Sequence, residues 1–153
     1  MSENRTLIAY VTEGGVTEDY SKAIRSVLAD EFRMQADLVN LKKDHNPNLA
    51  QYRNVVVGAG IRKFKIYKEG VEFLEKTDFG DRKVAIFISS LIPRDEVVKK
   101  YIDVILQNNT KLKPLAVEVL GGRMKILGRT IQDKTDIEQS KTWARKIAEQ
   151  LKS

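Results

Sequence analysis

The chain contains no cysteine, one histidine, one tryptophan and three prolines. Without thiols there is no disulfide, no thiolate metal ligand and no iron–sulfur ligation, so any redox chemistry has to come from a bound organic cofactor. The lone His45 sits in the turn-rich stretch His45-Asn46-Pro47-Asn48. It has no second histidine with which to build a metal cage and no nucleophile beside it. No carboxylate pair stands out as an acid–base dyad. Long hydrophobic runs are missing too. The longest, such as residues 84–88, reach 5 residues, whereas a bilayer-spanning helix needs roughly 20. Residues 1–6 lead directly into a strand-like run, so no secretory leader is expected and the cytoplasm is the default compartment. Repeats, linkers and low-complexity stretches are also absent. Residues 1–153 read as one domain.

What the chain does have is an excess of positive charge, 27 Lys and Arg against 21 Asp and Glu. The resulting pI near 9.5 suits an anionic partner of some kind. The basic residues are spread out with no block of five or six, so nucleic acid is not expected. Expected partners are a redox protein or a small-molecule substrate. Peripheral contact with a membrane and pairing as a homodimer stay open.

Two patterns alternate along the chain. Short apolar runs at residues 6–11, 36–41, 54–58, 83–89 and 115–120 read as strands. The first, third and fourth are almost continuously apolar, which fits parallel strands covered on both faces, whereas the second alternates and fits an edge. Between them, residues 17–32, 67–76, 93–107 and 136–151 repeat apolar side chains at three- and four-residue steps, as helices do. Thr17 is the expected N-cap of the first helix, with Glu18 and Asp19 in its first turn. Alternating strands and helices imply right-handed crossovers. The expected fold is a three-layer, doubly wound α/β domain with five parallel strands in the order 2-1-3-4-5.

In that order, ligands bind beyond the strand ends between strands 1 and 3. Three loops meet there. The first is Thr12-Glu13-Gly14-Gly15-Val16-Thr17, running into a helix. Adjacent glycines let backbone N–H groups turn inward, two threonines add hydroxyls and the helix start adds its positive end. A phosphate is therefore held without lysine or arginine. The spacing matches neither the Rossmann nor the Walker A glycine pattern. The same turn also serves as an ordinary tight strand–helix connection. The second loop, Ala59-Gly60-Ile61-Arg62 followed by Lys63 and Lys65, brings glycine backbone and positive charge to the same place. Phe64 and Tyr67 either stack on a ligand or pack beneath a helix, packing being the commoner fate. Ser89, Ser90 and Leu91 form the third. A further basic cluster, Arg123, Lys125 and Arg129, follows the last strand.

The first strand and loop resemble the phosphate loop of the flavodoxin-like superfamily, which reads Thr/Ser-x-Thr-Gly-x-Thr. Thr12, Gly15 and Thr17 match, while Gly14 stands where the central hydroxyl is usual and Val16 where Asn is frequent. The run Val55-Val56-Val57-Gly58-Ala59-Gly60-Ile61-Arg62 is similar to the one following strand 3 in the flavodoxin-type protoporphyrinogen oxidases. The resemblance implies an FMN-binding oxidoreductase. Its cofactor residues are Thr12, Glu13, Gly14, Gly15, Val16, Thr17, Ala59, Gly60, Ile61, Arg62, Ser89, Ser90 and Leu91. A cation near the flavin would favour its anionic reduced form and raise its potential. Two departures stand out. The Tyr and Gly-Asp with which flavodoxins usually hold the ring in the third loop are absent, which bears on the ring contacts and redox tuning. The segment after strand 5 is short, which weighs against porphyrinogen oxidation. A flavodoxin electron shuttle, or a flavin-free binding or signalling module on the same fold, remains the alternative.

Overall fold

The computed structural model describes residues 4–12 and 15–153. Its strands are β1 (Arg5–Val11), β2 (Gln35–Asn40), β3 (Asn54–Arg62), β4 (Lys65–Ile66), β5 (Lys83–Ser90) and β6 (Ala116–Gly121). They form one sheet in the order β2-β1-β3-β5-β6, with β4 folded back antiparallel on the end of β3. Counting the parallel strands alone, this is the expected 2-1-3-4-5 arrangement. The register sets Ile8 beside Leu38 on one side and Val56 on the other, and Val56 beside Ala85.

Successive strand residues point to opposite faces, so each continuous apolar run feeds two cores. On one face Ile8, Val56, Ala85 and Phe87 pack against α1 (Val16–Ser26), its π-helical continuation (Val27–Glu31) and α5 (Ile137–Lys152). On the other, Ala9, Val57, Ile86 and Ile88 meet α2 (Lys68–Lys76) and the helix built from α3 (Arg94–Val97), a π segment (Val98–Ile102) and α4 (Asp103–Asn108). The final helix, α5 (Ile137–Lys152), starts where its spacing predicts, with the Asp136 carboxylate accepting from the Gln139 N–H at 3.0 Å. Trp143 lies in the core, as its stripe implies.

Each edge strand carries one acidic residue near its middle. Asp37 of β2 accepts from the Tyr52 hydroxyl at 2.7 Å and sits 3.7 Å from Arg5. Glu118 of β6 pairs with Arg94 at 2.9 Å.

Three features differ from the expectation. The third strand does not stop at Gly58 but runs to Arg62. Glycine is needed inside it because the Phe87 ring occupies the space of a side chain there. A Cβ on Gly58 would lie 2.1 Å from Phe87 Cζ. Thr17 is not the helix cap. The helix begins one residue earlier, Gly15 takes the cap position, and no side chain caps it. Finally, the basic cluster after β6 is no simple turn. It forms an antiparallel hairpin of β7 (Arg123–Ile126) and β8 (Arg129–Asp133) standing off the body.

Candidate functional site

A cleft of about 760 Å³ opens at the carboxyl ends of β1, β3 and β5, where the strand order reverses. Its size lies in the range of cofactor sites, roughly 300–1,000 Å³. The sheet topology dictates the position, since the chain leaves β1 and β3 in opposite directions and a gap is left between their following loops.

At its inner end the start of α1 supplies Thr12, Gly15, Val16 and Thr17. Both threonines are nearly closed off, Thr17 at 1% exposure, and Thr17 Oγ1 donates to Ser89 Oγ at 3.0 Å. That bond ties the first helix to the end of β5. Across the gap, Gly60 brings bare backbone close, and a Cβ there would come within 3.3 Å of Thr17 Oγ1. Among the described residues, the negative charges beside this helix start are matched. Glu18 accepts from the Tyr10 hydroxyl and pairs with Lys22 at 3.0 Å, while Asp19 lies 4.0 Å from Arg123. The hydrogen bond from Lys22 holds the Glu18 carboxyl below its ordinary range. Burial, with Glu18 beside it, pushes the Tyr10 phenol up.

The third loop is braced by its own hydroxyl. Ser90 Oγ accepts from the Ile92 N–H at 2.8 Å, and the Ser90 carbonyl accepts from the Gly122 N–H at 2.9 Å. Gly122 tolerates no side chain, for a Cβ would sit 2.9 Å from the Ser90 carbonyl carbon. Beside it, a Cβ on Gly121 would lie 1.7 Å from the Lys134 oxygen. The buried Tyr20 hydroxyl donates to the Gly121 carbonyl at 2.5 Å and accepts from the Asp136 N–H at 3.1 Å. The root of the β7–β8 hairpin is thereby fixed to α1. Burial raises the Tyr20 phenol pKa, so it stays protonated as that bridge requires.

Of the residues singled out by sequence, Thr12, Gly15, Val16, Thr17, Gly60, Ile61, Arg62, Ser89, Ser90 and Leu91 come together around this one cleft. Ala59 faces away, its Cβ packed towards Gly70 of α2. Glu13 and Gly14 lie outside the described residues. Phe64 neither packs under a helix nor is covered; it stands at a hairpin tip with 81% of its surface exposed. Tyr67 is half-buried at the cleft wall, with the Lys42 ammonium 5.0 Å from its ring centroid. Sequence reasoning missed Met124, Ile126 and Gln132, which line the outer cleft. Their signal was the alternation Arg123-Met124-Lys125-Ile126 followed by Leu127-Gly128, a short hairpin pattern.

A family model for the flavodoxin domain matches residues 7–146. No curated protein matches the sequence. Among solved structures, oxidised flavodoxin 2 from Bacillus cereus is similar at 21% identity with a TM-score of 0.67, covering 95% of this chain and 99% of that one. A short-chain flavodoxin associated with a non-canonical PDU bacterial microcompartment gives 14% identity and a TM-score of 0.67, over 97% and 99%. A flavoprotein in complex with FMN from Lactobacillus acidophilus NCFM gives 16% identity and a TM-score of 0.58, over 76% and 93%.

Proposed function

The chain belongs to the flavodoxin domain family, and on that footing we propose that it binds FMN in this cleft and works as a cytoplasmic oxidoreductase. The observation that carries the reading is the inner end of the cleft: two buried threonine hydroxyls and the start of a long helix facing bare backbone at Gly60. Such a set of neutral donors suits a phosphate monoester. In this reading Thr12, Gly15, Val16 and Thr17 hold the phosphate together with Glu13 and Gly14. Thr17 has a partner in Ser89, but the proton in that bond belongs to either oxygen. With Ser89 donating instead, the Thr17 proton turns to the anion and the link to β5 is kept.

Gly60, Ile61 and Arg62 flank the ring from one side, and Ser89, Ser90 and Leu91 from the other. The flavin supplies hydride and single-electron transfer; the chain supplies capture, orientation and electrostatics. Here the electrostatics are cationic, with Arg62, Lys63, Arg123 and Lys125 around the opening. A cationic mouth attracts an anionic reactant, which favours a small acidic substrate over the role of a shuttle docking on basic proteins. A protoporphyrinogen-oxidase-like activity is the finer form of this reading, supported by the run ending in Gly60-Ile61-Arg62, which lines the cleft. Oxidation of protoporphyrinogen by the FMN-loaded protein tests it directly.

The cofactor itself is tested first. Purified protein is expected to be yellow, or to quench added FMN fluorescence. Thr12→Ala with Thr17→Ala is expected to weaken FMN by at least ~1 kcal/mol, since two phosphate hydrogen bonds are lost. Unchanged affinity would remove the phosphate from this turn. A colourless protein that ignores FMN would favour a flavin-free binding module.

A further inference from the structure

Each outer wall of the cleft is a hairpin, and each hairpin is fastened to a helix by a tyrosine hydroxyl. On one side, β3–β4 brings Gly60, Ile61, Arg62, Lys63 and Phe64 to the cleft. Its turn has positive φ at both Lys63 and Phe64, 51° and 64°. That is the type I′ pattern, which favours Asn-Gly and disfavours larger side chains. A turn that runs against the preference of its residues needs a hold from its surroundings. The Tyr101 hydroxyl, on the π segment between α3 and α4, supplies one by donating to the Phe64 carbonyl at 2.5 Å.

On the other side, β7–β8 brings Arg123, Met124, Lys125, Ile126 and Gln132. Its legs meet at the root, where the Gly122 carbonyl accepts from the Lys134 N–H at 2.9 Å. One hydroxyl bridges both legs, since Tyr20 donates to Gly121 in the outgoing leg and accepts from Asp136 in the returning one. Asp19, the residue before it in α1, lies 4.0 Å from Arg123. Packing alone does not account for the Tyr20 oxygen. The side chain is fully buried and edge-on to Phe87, and a phenylalanine would fill the same place. A hydroxyl buried there costs free energy unless it is bonded, and both of its partners belong to the hairpin root. The same helix also closes the inner end of the cleft with Val16 and Thr17. The anion end and the outer wall therefore hang on one rigid element, about one turn apart.

We propose that Tyr20 and Tyr101 are positioning residues that set the width of the outer cleft, holding its two hairpin walls at the spacing a bound planar ring requires. The identity of that ring rests on the FMN assignment; the hold on the walls does not. Neither tyrosine lines the cleft, so each acts through the main chain of its hairpin. Without the hydroxyls the walls sample wider positions and the ring loses contacts, while the phosphate site at the start of α1 is left as it was.

The test compares Tyr20→Phe and Tyr101→Phe with the parent in two ways. Hydrogen exchange without any flavin reads the walls. Amides of residues 123–133 are expected to exchange at least about tenfold faster in Tyr20→Phe, and those of 61–66 in Tyr101→Phe, each with the other wall unchanged. Titration with FMN, and with riboflavin, which lacks the phosphate, reads the ring. Each variant is expected to bind both flavins more weakly by the same factor, about fivefold for Tyr20→Phe and about twofold for the half-buried Tyr101. A loss confined to FMN would place the effect at the start of α1 and overturn the proposal. So would parent-like exchange at both hairpins. A purely structural role, the opposing result, would lower the thermal midpoint and leave both affinities at the parent's values. If the parent binds no flavin, the FMN assignment fails and exchange alone decides the hold: faster exchange supports it and parent-like exchange overturns it. Should Tyr20→Phe not fold, Gly121→Ala presses the legs apart from outside the core, because its Cβ would lie 1.7 Å from the Lys134 oxygen. It is expected to give the same faster exchange and the same equal loss of both flavins; parent-like values would overturn the proposal.

Discussion

Two phenylalanines show how differently the two regions of this molecule are built. Phe87, in the sheet, is fully buried, edge-on to Tyr20 at 6.3 Å and to Trp143 at 5.9 Å, and fills the space over Gly58. Phe64, at the cleft mouth, stands in a left-handed turn with most of its ring in water. In the sheet, every apolar side chain is accounted for by a neighbour, so local conformation and packing agree. At the hairpins they disagree: the backbone is strained and the apolar surface is left open. The lesson is that stability explains the first region, whereas the second borders the cleft, where Phe64 and Ile126 form part of the wall.

That contrast can be broken by experiment, and the largest effect is expected in the sheet. Phe87→Ala is expected to cost about 4 kcal/mol in urea unfolding, because it removes the ring that joins α1, α5 and β3 and leaves a cavity. A loss below about 1 kcal/mol would mean that the aromatic cluster is not the centre of that core. At the tip the sign reverses. Lys63→Asn with Phe64→Gly supplies the residues a type I′ turn favours and is expected to raise stability by about 1 kcal/mol. A lower unfolding midpoint would show that Phe64 is stabilised by the fold after all. The smallest effect belongs to the exterior of the body, where Arg145 forms a forked pair with Glu31 at 2.8 and 3.0 Å. The pair holds the Glu31 carboxyl below its ordinary range. Its contribution is therefore present at neutral pH and fades as pH falls through that depressed value. The difference in thermal midpoint between the parent and Arg145→Met is expected to shrink on acidification; a difference independent of pH would assign the contribution to the arginine stem instead.

The sheet and its helices were legible because burial on both faces leaves a direct mark on sequence. Continuous runs such as residues 84–88 and stripes such as Ile137, Ala144, Ile147 and Leu151 have few other readings. The inner cleft was legible for the same reason, since its residues follow the strands at fixed offsets. Less visible were features set by tertiary contact. Gly58 reads as a strand end until Phe87 is seen to occupy its face. Thr17 reads as a cap until Ser89 is seen to hold it. Lys63-Phe64 carries no turn signal at all, because the turn there runs against local preference. The β7–β8 hairpin did leave the Leu127-Gly128 mark, but four- and five-residue strands are too short for alternation to stand out from a basic loop.

The acidic residues set in the two outer strands have a consequence for behaviour in concentrated solution. A foreign β-segment approaching either flank of the sheet meets Asp37 or Glu118, each already satisfied by an arginine of its own chain. Main-chain pairing at those flanks would bury a charge or displace its counterion. A charge on each outer strand thus disfavours ribbon-like stacking of sheet on sheet in crowded solution.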